Sequence, residues 1–144
     1  MYSLIESILL DLTEKDYLKT QLLITTIEEQ FDDIDDFIKK SISHILNFQH
    51  ISNARCYAKK ADSELWDLFP VVYWHRLHDQ NYLETKNIIE GFFIEHDLDD
   101  EKVLVFQRHL NNLFEHTNHH RAQMIRHLKL NDLRIPNMQM IMIQ

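Results

Sequence analysis

Apolar positions recur along this chain at helical spacing, most clearly between Glu101 and Leu130, a stretch free of proline and glycine. At about 100° per residue, Val103, Phe106, Leu110, Leu113, Met124 and Leu128 fall on one stripe. Helix four is therefore expected over about Asp100–Leu130, ended by Asn131-Asp132 and Pro136. Upstream, Phe37, Ser41, His44, Phe48 and Ile51 recur at spacings of four and three, the inward seam of a second helix over about 33–59. Residues 2–30 read as helix one, with Leu4, Ile5, Ile8, Leu9 and Leu12 and then Tyr17, Leu18, Leu22, Ile24 and Ile27 apolar. Thr13 followed by Asp16 resembles an N-cap with an acidic partner, which predicts a break near residue 12. Helix three is expected from about Val71 to Gly91, where the glycine would supply a left-handed C-cap. Phe92 to His96 reads as a short extended piece before the acidic turn Asp97–Asp100. The tail Met138-Gln139-Met140-Ile141-Met142-Ile143 is strongly apolar and is expected to pack along the bundle or against a second subunit.

Composition narrows the class. The 144 residues suit a single domain, 1–144, with a genuine core. One glycine and two prolines supply little turn chemistry for a β-rich fold, so an all-α chain of long helices is expected. One cysteine, Cys56, precludes an internal disulfide and fits a reducing compartment; it reads as a buried apolar residue. A formal charge of −8 argues against broad binding to nucleic acid or anionic membranes. Met1–Leu12 lacks a basic region and does not read as a signal peptide, and no apolar run reaches spanning length. The expectation is a soluble, cytoplasmic protein. The acidic run Asp32-Asp33-Ile34-Asp35-Asp36 lacks the glycine and distal glutamate of a calcium loop and reads as a helix-capping turn.

The candidate chemistry lies in Phe114-Glu-His-Thr-Asn-His-His-Arg-Ala-Gln123. His116 and His120 are about 40° and roughly 6 Å apart on an ideal helix, so both rings can grip one ion. His119 points further round, and His127 lies roughly 10 Å along the axis. The inward His44 of helix two is the best third ligand. Three imidazoles without a thiolate leave coordination positions for water or substrate, the pattern of a catalytic metal rather than a closed structural one. His50, His75, His78, His96, His109, His119 and His127 read as surface or supporting groups, with His78 the foremost of them to face the site. Asn47 is placed at the pocket, Gln123 at the rim of the site, and Glu115 or Asn118 behind a ligand ring. Arg121 is expected to tie helix four to the C-terminal segment or to a neighbouring helix.

His44-Ile-Leu-Asn47, followed by His116-x-x-x-His120-Arg121-Ala122-Gln123 and Pro136, resembles the DinB/YfiT-like family. The resemblance implies a four-helix bundle holding a divalent metal through His44, His116 and His120, zinc or nickel first and iron or copper after them. It also implies a crossover connection over Ala61–Pro70 that covers one end of the bundle with Trp66 as a packed plug. A β-hairpin remnant would follow helix three, and the small Ala122 would permit close helix packing. Two features depart from the family pattern: helix one lacks its aromatic/asparagine motif, and Gln139 stands where an aspartate is common. Characterised members are thiol S-transferases and thiol-dependent isomerases. The implied function is accordingly S-transfer between a low-molecular-weight thiol and a small electrophile. Metal-dependent hydrolysis at the same site is the alternative, as is a non-catalytic, stress-associated metal-binding homodimer.

Overall fold

The structure, a computed structural model, describes residues 1–137. Those residues form four long helices and no strand: α1 Ser3–Glu28, α2 Asp36–Cys56, α3 Trp74–Phe93 and α4 Asp100–Leu130, with short 3-10 turns at Phe31–Asp33 and Val71–Tyr73. Met138 to Ile143, Gln139 among them, lie outside the described residues.

Side-chain pairs between helices give the topology. Tyr2, Asp16 and Glu29 meet Asp100, Arg121 and Arg134 in that order, so α1 and α4 run parallel. Leu46 and Gln49 of α2 meet Asn81 and Thr85 of α3, also in parallel. The α2–α4 and α1–α3 pairs are antiparallel, as His44–His116 with Ser52–His109 and Tyr17–Asp79 with Glu28–His75 show. The bundle is thus up-down-down-up. Two parallel consecutive helices require a connection that returns along the bundle, and residues 57–73 make it.

Two apolar clusters fill the bundle. Leu23, Ile24, Ile27, Ile38, Ile42, Trp74, Met124 and Leu128 belong to one, and Leu9, Ile89, Phe106, Leu110 and Leu113 to the other. All six members of the predicted α4 stripe are buried. On α4 the clusters are separated by the turn that holds His116, Thr117, His120 and Arg121.

Local expectations fail where polar groups have unusual partners. α1 does not break near residue 12: Thr13 lies inside it and donates its hydroxyl to the Leu9 carbonyl. Its inward face carries Thr13, Asp16 and Thr20, whereas Leu4, Ile8 and Leu12 are exposed. Buried Asp16 accepts from Arg121 at 2.7 Å, and the same guanidinium also donates to Thr20 and Asn118. Arg121 therefore fastens α4 to α1, the neighbouring-helix option. Ala122 is exposed, not buried in a helix interface as expected.

Gly91 is no C-cap. It sits within α3, which continues to Phe93, and no glycine has positive φ. The residues read as an extended piece thus begin helical and end in a turn, with no hairpin remnant. The left-handed positions fall on Ala58 (φ 52°) after α2 and Asp132 (φ 56°) after α4. Both helices end with a six-to-one bond, Lys59 N–H to the Ala54 carbonyl and Leu133 N–H to the Leu128 carbonyl. Asp35 and Asp99 cap the N-termini of α2 and α4 through their carboxylates, the role expected for acidic turns.

Candidate metal centre

The antiparallel register of α2 and α4 sets His44 opposite His116 and His120. His44 Nε2 and His120 Nε2 each lie 3.2 Å from His116 Nε2. The three ligand atoms all fall within 4.8 Å of one another. A tetrahedral ion at about 2.0–2.1 Å from each nitrogen would hold them about 3.3 Å apart, close to the 3.2 Å of the two contacts to His116. The three-histidine group can therefore hold a metal ion.

Hydrogen bonding alone does not account for this convergence. His44 Nδ1 lies 3.2 Å from the Leu65 carbonyl, which can only accept, so Nδ1 carries the proton and Nε2 offers its lone pair. His116 Nε2 then has one proton for two neighbouring nitrogens, and one of its two contacts is left without a proper bond. One cation would take all three lone pairs. His116 Nδ1 is also buried with no partner among the described residues.

Aromatic rings fix the imidazole planes. Phe48 stacks on His116 at 3.5 Å between centroids, and Trp66 stacks on His44 at 3.9 Å. Burial holds all three histidines below their ordinary pKa. His116 is pushed down to about 4, with the neighbouring imidazoles adding to the effect. The neighbouring Gln123 side chain moderates the effect at His120, and it is exposed, which fits the rim position expected for it. Neutral imidazole is the ligand form, so the site is ready to bind at neutral pH. His44 is buried, whereas His116 and His120 are half-buried, leaving one side of the group accessible.

Other expectations are redistributed. His78 is buried away from the site and donates Nε2–H to the Tyr17 carbonyl. Asn47 does not line an open pocket: it is fully buried, donates to the Asp67 carbonyl and accepts from Ser63. Asn118 accepts from Arg121, and Glu115 is exposed, so neither is shown supporting a ligand ring. Trp66 is no packed plug; it is 60% exposed and touches the site with one face.

Sequence reasoning missed a second grouping. Cys56 is exposed rather than buried, and its Sγ lies 3.2 Å from His109 Nε2, which also contacts Ser52 Oγ at 3.0 Å. Burial raises the thiol and lowers the imidazole, so the pair rests neutral. The antiparallel α2–α4 register was the missing signal, since it pairs positions whose sum is nearly constant.

The cavities have other walls. One of about 530 Å³ lies among Leu46, His50, Phe69, Asn81 and Glu84, one of about 650 Å³ beside Cys56, Phe92, Phe106 and His109, and one of about 740 Å³ along the connection among Ile51, Lys60, Ser63, Leu65 and Asp67. No helix of the described residues is long and apolar enough to cross a membrane. Comparisons with protein-family models, curated proteins and solved structures find no match.

Proposed function

We propose that this protein binds a divalent metal ion, zinc or nickel, through His44, His116 and His120 and is a metal-dependent thiol S-transferase. The observation that carries the metal reading is the convergence of three imidazoles within 4.8 Å, with His44 and His120 Nε2 each 3.2 Å from His116 Nε2, a distance suited to ligands of a tetrahedral ion. The reaction class rests on the resemblance of His44-Ile-Leu-Asn47 and His116-x-x-x-His120-Arg-Ala-Gln123 to DinB/YfiT-like proteins. A bound divalent ion would supply Lewis acidity, lowering the pKa of a water or small thiol at its open positions.

The chain's own residues prepare that site. The Leu65 carbonyl and Trp66 orient His44, Phe48 orients His116, and Gln123 supports His120. Neutral ligands leave the charge of the ion uncompensated, which favours an anionic thiolate as the incoming group. In the overall reaction the sulfur of a low-molecular-weight thiol bonds to an electrophilic carbon. The thiol proton passes to solvent, and the displaced group leaves with the bonding electron pair.

Elemental analysis and Zn2+ or Ni2+ titration of wild type against His44→Ala, His116→Ala and His120→Ala test the site. The expected result is one ion per wild-type chain and at least a hundredfold weaker binding in each variant, as loss of one of three ligands implies. Thiol-dependent turnover that survives chelation and the triple substitution would sink the catalytic reading. Turnover of an electrophile without added thiol would instead assign metal-assisted hydrolysis. The three rings line none of the 530, 650 and 740 Å³ cavities, which favours a second reading, metal binding without turnover. It predicts full metal uptake and no reaction with any thiol–electrophile pair.

A further inference from the structure

The returning connection, residues 57–73, makes its anchoring contacts to α2 at the positions around the metal ligand. Phe69 N–H donates to Ser43 Oγ at 3.0 Å, and His44 Nδ1–H donates to the Leu65 carbonyl at 3.2 Å. Asn47 donates to the Asp67 carbonyl at 2.9 Å and accepts from Ser63 Oγ at 2.6 Å, while His50 pairs with Asp62. Trp66 completes the set by stacking on His44. Outside these contacts the segment is poorly covered: most residues from Tyr57 to Leu68 are exposed. Phe69 and Val71 pack on the core, but the stretch before them buries little apolar surface and is held by its polar anchors, one of which is a ligand ring.

We propose that this strap and the metal site are one coupled device, in which the ion at His44 orders the strap and the strap, through Leu65, Trp66 and Ser63, tightens the hold on the ion. The inference rests on the metal reading above.

The physical link is the tautomer of His44. An imidazole carries its single neutral proton on one nitrogen, so a cation at Nε2 requires the proton at Nδ1. Only that tautomer can donate to the Leu65 carbonyl. Without a cation, His44 is free to carry the proton on Nε2 and donate toward His116, and then Nδ1 and the carbonyl present lone pairs to each other. The ion therefore removes the tautomer that opposes strap closure. Conversely, a closed strap selects the tautomer that binds the ion and, through the Trp66 face, sets the ring plane. Linkage makes the two effects equal: whatever factor the closed strap adds to metal affinity, the metal adds to closure. Trp66, Ser63 and the Leu65 carbonyl are positioning groups, since none of them is placed to touch the ion.

The test is hydrogen exchange read by mass spectrometry on the full chain, with and without saturating Zn2+, together with Zn2+ affinity of Trp66→Ala, Trp66→Phe and Ser63→Ala. These variants leave α2 and all three histidines intact, and Trp66 and Ser63 are not fully buried, so the bundle keeps its helices. Zinc is expected to slow exchange at Glu64, Asp67 and Phe69 about tenfold and to leave the 94–99 connection unchanged, the size of an ordinary coupling. Trp66→Ala and Ser63→Ala are each expected to weaken zinc binding several-fold, with Trp66→Phe restoring most of the loss. Loss of affinity without rescue by phenylalanine would assign Trp66 a merely structural role and overturn its part in the coupling. Zinc uptake by wild type with no change in strap exchange overturns the coupling alone. Absence of zinc and nickel uptake by wild type overturns the metal reading and the coupling together.

Discussion

His78 and Asp16 show how single buried groups shape this fold. His78, 2% exposed, is pushed down to about 4 chiefly by burial. Its unfolded value is near 6.5, so between those limits the unfolded chain takes up a proton that the folded chain refuses. Stability is therefore unaffected by this group above pH 6.5 and is lost progressively as pH falls toward 4. The shift corresponds to about 3 kcal/mol at an order-of-magnitude level. His116 is depressed in the same direction, but its partial exposure screens its share. We predict that urea melts in the presence of a chelator show this acid-side loss, and that His78→Gln, which keeps a donor for the Tyr17 carbonyl, flattens it. A variant as acid-sensitive as wild type would contradict the assignment. At Asp16 the partner is Arg121, with both side chains buried. Asp16→Ala leaves the guanidinium buried and uncompensated, so a loss of about 3–5 kcal/mol is expected. Replacing both as Asp16→Leu/Arg121→Met should recover most of that loss, because the pair itself is of little net benefit. Equal losses in the single and double variants would show that the residues do not act as a pair.

At the scale of elements, the chain places its glycine and its left-handed turns in different positions. Gly91 lies inside α3 with ordinary negative φ, and a Cβ built there meets nothing within 4 Å. Gly91→Ala should thus stabilise by about 0.5–1 kcal/mol, a rise in Tm of roughly 3 °C. Ala58, at φ 52°, ends α2 where glycine would be unstrained, so Ala58→Gly should stabilise by about 1 kcal/mol. Thermal melts of both variants, expected to shift upward, check these signs. The same two residues explain what the sequence conceals about helix ends. A lone glycine is a natural stop signal, but here tertiary packing of Phe92 and Phe93 on Phe106 draws α3 onward for two residues. α4 was legible because its inward stripe is apolar from Val103 to Leu128. α1 was less so, because its inward face depends on Arg121, 105 residues from Asp16, to make a buried carboxylate tolerable. His44 was legible as inward, yet its Leu65 and Trp66 partners were not, since a loop without periodicity gives no register.

For the whole molecule, the up-down-down-up order decides which histidines meet. Ten histidines are scattered through the chain, and only the antiparallel α2–α4 pairing brings His44 to His116 and His120. Folding therefore assembles a group able to hold an ion that the unfolded chain lacks, and if it binds one, linkage turns that difference into stability. Free Zn2+ at a hundredfold excess over its Kd should add about 2.7 kcal/mol, a rise in Tm of roughly 8 °C for a chain of this size. Two opposing terms bound the effect. The unfolded chain, rich in imidazoles, also binds zinc and reduces the gain, and low pH protonates the ligands that the ion requires. The rise should consequently grow with zinc concentration, shrink below pH 6.5 as the unfolded imidazoles and then the folded ligands charge, and vanish with chelator. His44→Ala separates the site from the rest, because it removes one ligand of the folded group and only one of ten imidazoles from the unfolded chain. Its melt should lose nearly all dependence on zinc, or shift downward as binding to the unfolded chain takes over. A zinc-dependent rise of equal size in wild type and His44→Ala would place the ion elsewhere and leave the meeting of the three rings without a thermodynamic role.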